Sequence, residues 1–130
     1  FAAMNDHAVD LSGTVLKTAM ALSGRESGRM DTPEEVAEDT VAALMETVPA
    51  SLAGIVFLSG GQGPDQATEN LRAIAKVAKS KGAPWPITFS FARAVQEEAL
   101  NTWKGQPKNV EAARAVFLER LQKVSEALTA

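Results

Sequence analysis

Apolar residues along this chain alternate between two patterns: short β-branched runs, and longer stretches where they recur every three or four positions. The first short run, Gly13 to Met20 (GTVLKTAM), predicts a strand, and the Gly/Ser/Arg-rich segment from Ala21 to Asp31 predicts a loop broken by Gly24 and Gly28. A helix start follows: Thr32 as N-cap, Pro33 in the first helical position and Glu35 as the capping-box partner. Val36, Thr40, Val41, Leu44 and Val48 then recur at helical spacing up to Pro49, which marks one buried face. The plan repeats. Gly54 to Leu58 (GIVFL) is an apolar run suited to a parallel sheet covered on both faces. Ser59-Gly60-Gly61-Gln62-Gly63 breaks it, and Pro64-Asp65 opens a helix with Ala67, Leu71, Ile74, Ala75 and Ala78 on one side, running toward Gly82. A third strand, Pro86 to Phe91 (PITFSF), precedes a helix from Arg93 to Trp103. After a break at Gly105 to Pro107, a last helix carries Val110, Ala113, Val116, Phe117, Leu121 and Val124 on one face.

Strands alternating with helices at this spacing imply right-handed βαβ connections, an α/β class and a parallel sheet. Three strands cannot close a (β/α)8 barrel, which takes about 250 residues. The pattern therefore fits either a small open sheet or one part of a larger barrel. With 45% apolar residues, the 130 positions suffice for one core and are read as a single unit, 1–130. Phe1 to Asp10 resembles the tail of a helix, with Asp6 and His7 at its end, and suggests a fragment or a processed product.

Composition removes several function classes. Thirteen basic and sixteen acidic side chains, with no basic block, disfavour nucleic-acid binding. The absence of cysteine excludes disulfides and thiolate metal sites, and one histidine cannot form a histidine cluster, so a metal-free protein without a cofactor is expected. Apolar runs are far shorter than the roughly 18 residues of a membrane span, and a cytoplasmic location is the simplest expectation.

In parallel α/β folds the loops after the strands line the active site. The first strand delivers Lys17, whose charge is costly to bury within an apolar strand; a lysine whose pKa is lowered by desolvation can attack a carbonyl as a neutral amine. A snorkelling lysine on an edge strand is the competing reading. The second strand delivers Ser59, Gly60 and Gly61, a turn whose glycines let backbone N–H groups approach an anion before a helix N-terminus, or simply supply positive φ. The third delivers Ser90 and Arg93, a hydroxyl and a guanidinium suited to phosphate, unless Arg93 pairs with Glu97 one helical turn on. Together they describe one phosphate-binding pocket with a reactive amine. Neither a P-loop nor a dinucleotide fingerprint occurs. Glu34, Glu35, Glu38 and Asp39 suit a capped helix start and its solvated face, and Trp103 and Phe117 suit helix packing.

These residues match a known pattern. Leu11-Ser12-Gly13-Thr14-Val15-Leu16-Lys17 resembles the LEGTLLK segment of class I fructose-bisphosphate aldolases. Thr32-Pro33-Glu34-Glu35-Val36-Ala37, Val48-Pro49-Ala50, Gly54 to Gln62 and Thr88-Phe89-Ser90-Phe91-Ala92-Arg93-Ala94 follow in the family's order. The resemblance spans the whole chain and implies the sixth to eighth strands of a (β/α)8 TIM barrel with its terminal helices. It implies that Lys17 forms the Schiff base, and that Ser59, Gly60, Gly61, Ser90 and Arg93 bind a substrate phosphate. The implied reaction is reversible cleavage of fructose 1,6-bisphosphate into dihydroxyacetone phosphate and glyceraldehyde 3-phosphate, without metal, in a homotetramer. The family's acid/base glutamate and second lysine belong to earlier strands, so this segment alone is expected to be inactive.

Four features depart from the family pattern. Thr18-Ala19 replaces Pro-Asn, Gly63 replaces a serine, tyrosine is absent, and Ala92 stands where glycine is common, its β-carbon expected to crowd the phosphate. The alternatives are an aldolase for another phosphorylated ketose, and a non-catalytic phosphosugar-binding or scaffold module of the same fold.

Overall fold

The computed structural model describes residues 1–129. Three short strands, β1 (Val15–Thr18), β2 (Gly54–Phe57) and β3 (Ile87–Phe89), form a parallel sheet in chain order. Helices α1 (Ala2–Asp6), α2 (Pro33–Thr47), α3 (Pro64–Ser80), α4 (Arg93–Trp103) and α5 (Val110–Ala127) complete the chain. Each strand is shorter than its apolar run. Leu11–Gly13 forms a 3₁₀ turn instead, because the Asp10 carboxylate accepts from the Ser12 amide and hydroxyl. Ser90 and Phe91 lie past β3, where the chain turns into α4.

The start of α2 follows from its sequence. The Thr32 hydroxyl accepts from the Glu35 amide at 3.2 Å, and the Glu35 carboxylate accepts from the Thr32 amide at 2.9 Å. Val36, Thr40, Val41, Leu44 and Val48 are all buried, as their spacing requires. Gly54 begins β2 because a β-carbon there would stand 3.3 Å from the Pro86 carbonyl oxygen, which already accepts from the Ile55 amide.

The sheet has one covered face and one open face. In a parallel pair, residues in register point the same way, so Leu16, Ile55 and Ile87, and likewise Thr18, Phe57 and Phe89, share one side. On that side Ile55 (1% exposed) and Phe57 (0%) join Val36, Val41, Leu71 and Ile74 in the core. Each such side chain contributes about 1.5–3 kcal/mol by leaving water. The opposite row, Lys17, Val56 and Thr88, is covered by none of the helices; Lys17 and Thr88 are exposed and Val56 half-buried. The expectation that β2 is covered on both faces is thus corrected for the described residues: three strands bury one face only.

Helix α5 also departs from its predicted face. Val116, Phe117 and Leu121 are only half-buried, whereas Arg120, on the same stripe, is 3% exposed. Its guanidinium donates Nε to Glu98 Oε2 at 2.7 Å and Nη2 to Glu98 Oε1 and Asp65 Oδ1, both at 2.9 Å. One buried cation thereby ties α5 to α4 and to the first turn of α3.

Candidate active site at the strand ends

Two backbone bonds beyond the strands bring their C-terminal ends level. The Leu58 amide donates to the Thr18 carbonyl at 2.9 Å, and the Ser90 amide to the Phe57 carbonyl at 2.8 Å. Lys17, on β1, therefore reaches across the end of β2, where its Nζ donates to Ser90 Oγ at 3.1 Å. A cavity of about 290 Å³ opens at this point, lined by Lys17, Leu58, Ser59, Gly60, Gly61, Ser90, Ala92 and Arg93. All six residues singled out in the sequence lie around it.

Lys17 is exposed rather than buried. The expectation of a lysine desolvated inside its strand is corrected: strand alternation places it on the open face of an edge strand, so its head meets solvent and Ser90. The Ser59–Gly61 turn has Ser59 buried (7% exposed), followed by two left-handed residues, Gly60 at φ 60° and Gly61 at φ 85°. A β-carbon on Gly60 would meet only Leu58 Cδ1 at 3.4 Å, so it is the backbone conformation rather than lack of space that favours glycine. Helix α3 begins at Pro64, leaving Gln62 and Gly63 between the turn and the helix.

On the other side of the cavity, α4 starts at Arg93 with Ala92 as its N-cap. Alanine has no side-chain acceptor, so the first-turn amides of α4 are free of a side-chain cap beside Arg93, an arrangement that favours an anion. Ala92 has φ −100°, an ordinary value for an L-residue, so the backbone at this position does not require glycine. Arg93 is exposed and makes no ion pair with Glu97 among the described residues. Lys17, Ser90, Arg93, the Gly60-Gly61 turn and the uncapped start of α4 thus border one small space. Those groups can bind an oxyanion and present an amine beside it.

Two buried side chains next to the turn escaped the sequence reading. Gln62 (8% exposed) donates Nε2 to the Ser59 carbonyl at 2.8 Å, and Asn70 (1% exposed) donates Nδ2 to Gln62 Oε1 at 2.6 Å. The available signal was Asn70 itself, a polar residue on the stripe of Ala67, Leu71, Ile74 and Ala78. Asp6 ends α1 and His7 is its C-cap, both away from the cavity lining. Among the described residues, no group of three or more His, Cys, Asp or Glu side chains is arranged to hold a metal ion, and no helix is long and apolar enough to cross a membrane.

A family model described as "Fructose-bisphosphate aldolase class-I" matches residues 1–130. The chain is 47% identical over 127 residues to fructose-bisphosphate aldolase 6, cytosolic, of Arabidopsis thaliana, and 49% identical over 127 residues to the cytoplasmic isozyme 1 of Pisum sativum; each match covers 98% of this chain and 35% of the relative. Among solved structures, a fructose-bisphosphate aldolase from Plasmodium falciparum, in complex with TRAP and a small-molecule inhibitor, superposes with a TM-score of 0.92 at 41% identity, covering 98% of this chain and 36% of that one. The chain spans about a third of the length of these relatives, and its open three-stranded sheet is a part of their TIM barrel. With the whole of its length matched, the chain belongs to the class I fructose-bisphosphate aldolase family.

Proposed function

We propose that this segment supplies the imine-forming and phosphate-binding half of a class I fructose-bisphosphate aldolase. The observation that carries the reading is the cavity in which Lys17 Nζ lies 3.1 Å from Ser90 Oγ, beside Arg93 and the Gly60-Gly61 turn, in a chain of this family. Ser59, Gly60, Gly61, Ser90 and Arg93 hold one phosphate of the ketose, which brings the carbonyl carbon to Lys17. The neutral amine adds to that carbon and water leaves, giving an imine. Once protonated, the imine accepts the electron pair of the breaking carbon–carbon bond, glyceraldehyde 3-phosphate departs, and the remaining enamine is protonated and hydrolysed to dihydroxyacetone phosphate. An electron sink of this kind does the work of a metal, so no cofactor enters the reading. The acid/base groups come from the other strands of the barrel, and by family resemblance the assembled protein is a cytoplasmic homotetramer.

The test is borohydride trapping of the complete protein with dihydroxyacetone phosphate, followed by peptide mass mapping. A reduced adduct on Lys17 is expected. An adduct elsewhere, or none, would overturn the mechanism. In a non-catalytic binding module, phosphate affinity would persist without any adduct.

A further inference from the structure

The Ser59–Gly61 turn rests on a chain of buried amides. Helix α3 places Asn70, 1% exposed, among Ala67, Leu71 and Ile74, a position where an apolar residue would pack without a polar group to satisfy. Asn70 Nδ2 donates to Gln62 Oε1 at 2.6 Å, and Gln62 Nε2 donates to the Ser59 carbonyl at 2.8 Å while lying 3.4 Å from Met20 Sδ. The same carbonyl accepts from the Gln62 backbone amide at 3.0 Å. The direction of the chain is forced. A carbonyl can only accept, so Gln62 must present its NH₂ to Ser59 and its oxygen to Asn70.

The consequence lies in the peptide plane. Among the described residues no peptide bond is cis, and in a trans peptide the C=O and the following N–H point in opposite directions. Two donors drawing the Ser59 carbonyl toward the core therefore turn the Gly60 N–H the other way, toward the cavity that Gly60 lines. Without them, two successive glycines at φ 60° and 85° would let this peptide rotate at little steric cost. We propose that Asn70 and Gln62 form a positioning relay that locks the Ser59–Gly60 peptide with its N–H aimed at the substrate phosphate. The relay rests on the phosphate-binding reading of this cavity and extends it to residues that touch no substrate. The Met20 contact connects it to the segment that follows Lys17 on β1.

The test compares a phosphorylated and an unphosphorylated ketone in the complete protein. Borohydride trapping at Lys17 is measured as a function of concentration for dihydroxyacetone phosphate and for dihydroxyacetone, with inorganic phosphate as competitor. Gln62→Met keeps the volume and removes the side-chain donor to Ser59, leaving only the backbone amide on that carbonyl. It is expected to weaken dihydroxyacetone phosphate and inorganic phosphate about tenfold, the scale of one lost hydrogen bond, and to leave dihydroxyacetone trapping within about twofold. Asn70→Leu keeps nearly the same shape and removes the donor to Gln62 Oε1, so nothing fixes which end of the Gln62 amide faces the Ser59 carbonyl. The same phosphate-selective loss is expected, and the double variant should be no worse than Gln62→Met alone. Should Gln62→Met fail to fold, Asn70→Leu, which leaves the turn's own sequence intact, decides by the same ratio. Equal loss for both ketones, unchanged phosphate dependence, or additive effects of the two substitutions would each overturn the relay. A wild-type protein that traps neither ketone on Lys17 would instead overturn the aldolase reading, and the relay with it.

Discussion

Lys17 and Ser90 are 73 positions apart in sequence and 3.1 Å apart in space, which makes them the most direct probe at the scale of single residues. Lys17→Arg retains a cation able to attract phosphate but replaces the amine with a guanidinium that stays protonated and does not form an imine. Borohydride trapping with dihydroxyacetone phosphate should then fall to background, while direct binding of inorganic phosphate, read by calorimetry, stays within about threefold of wild type, since a neighbouring point charge is conserved. Persistent trapping would mean that another nucleophile does the chemistry. The residue types were legible beforehand because lysine, serine and arginine at strand ends are chemically conspicuous. Gln62 and Asn70 were not, because a buried amide reveals its role only through the carbonyl it reaches.

At the scale of elements, capping sets where the helices begin and hence where the strand-end loops finish. The Thr32 hydroxyl holds the Glu35 amide, and the Thr40 hydroxyl further along α2 accepts from the Ala21 amide at 2.9 Å, anchoring the segment that leaves β1. Thr32→Ala should lower stability by about 1 kcal/mol, read as a shift of the denaturant midpoint with an unchanged slope. The residues of this capping box are contiguous in sequence, which is why its prediction coincided with the structure. Strand lengths were less legible. Gly13 and Thr14 belong to the apolar run, yet the Asp10 side chain draws Ser12 into a 3₁₀ turn and delays β1 to Val15.

At the scale of the whole molecule, Arg120 holds three helices with one side chain. Bidentate bonds from Arg120 keep the Glu98 carboxyl below the usual carboxylate range. A carboxylate whose pKa is lowered by folding adds stability above its unfolded value, near ~4.3, and loses that contribution as the pH falls through the folded value. Arg120→Ala is expected to cost about 2–3 kcal/mol at pH 7, through lost charged hydrogen bonds and stem packing. In urea titrations at a series of pH values, the difference from wild type should narrow below about pH 4; a gap constant down to pH 3 would show that packing alone accounts for it. The sheet makes a second expectation. Strands β1 and β3 each have one unpaired edge in this segment, and the row of Val15, Lys17 and Thr88 is exposed. Expressed alone, residues 1–130 should associate in a concentration-dependent way by light scattering, because open edges and an uncovered face invite pairing. A stable monodisperse monomer would contradict this.

The sequence by itself determined whatever depends on neighbours within a few positions: the order of strands and helices, the Thr32 cap, the buried stripe of α2 and the parallel α/β class. It also placed Lys17, Ser59, Gly60, Gly61, Ser90 and Arg93 in or just beyond the C-terminal halves of the three apolar runs. Only the tertiary structure decided that these residues share one cavity, since that depends on the register of β1, β2 and β3. It decided too that Lys17 stands on the open face, as one sheet covered by helices on one side leaves alternate residues on the other. The long-range polar contacts, Arg120 with Glu98 and Asp65 and Asn70 with Gln62, belong to the same class. Helical periodicity marks such positions as buried, but the partner that makes a buried polar group affordable lies on another turn or another element, and local sequence carries no record of it.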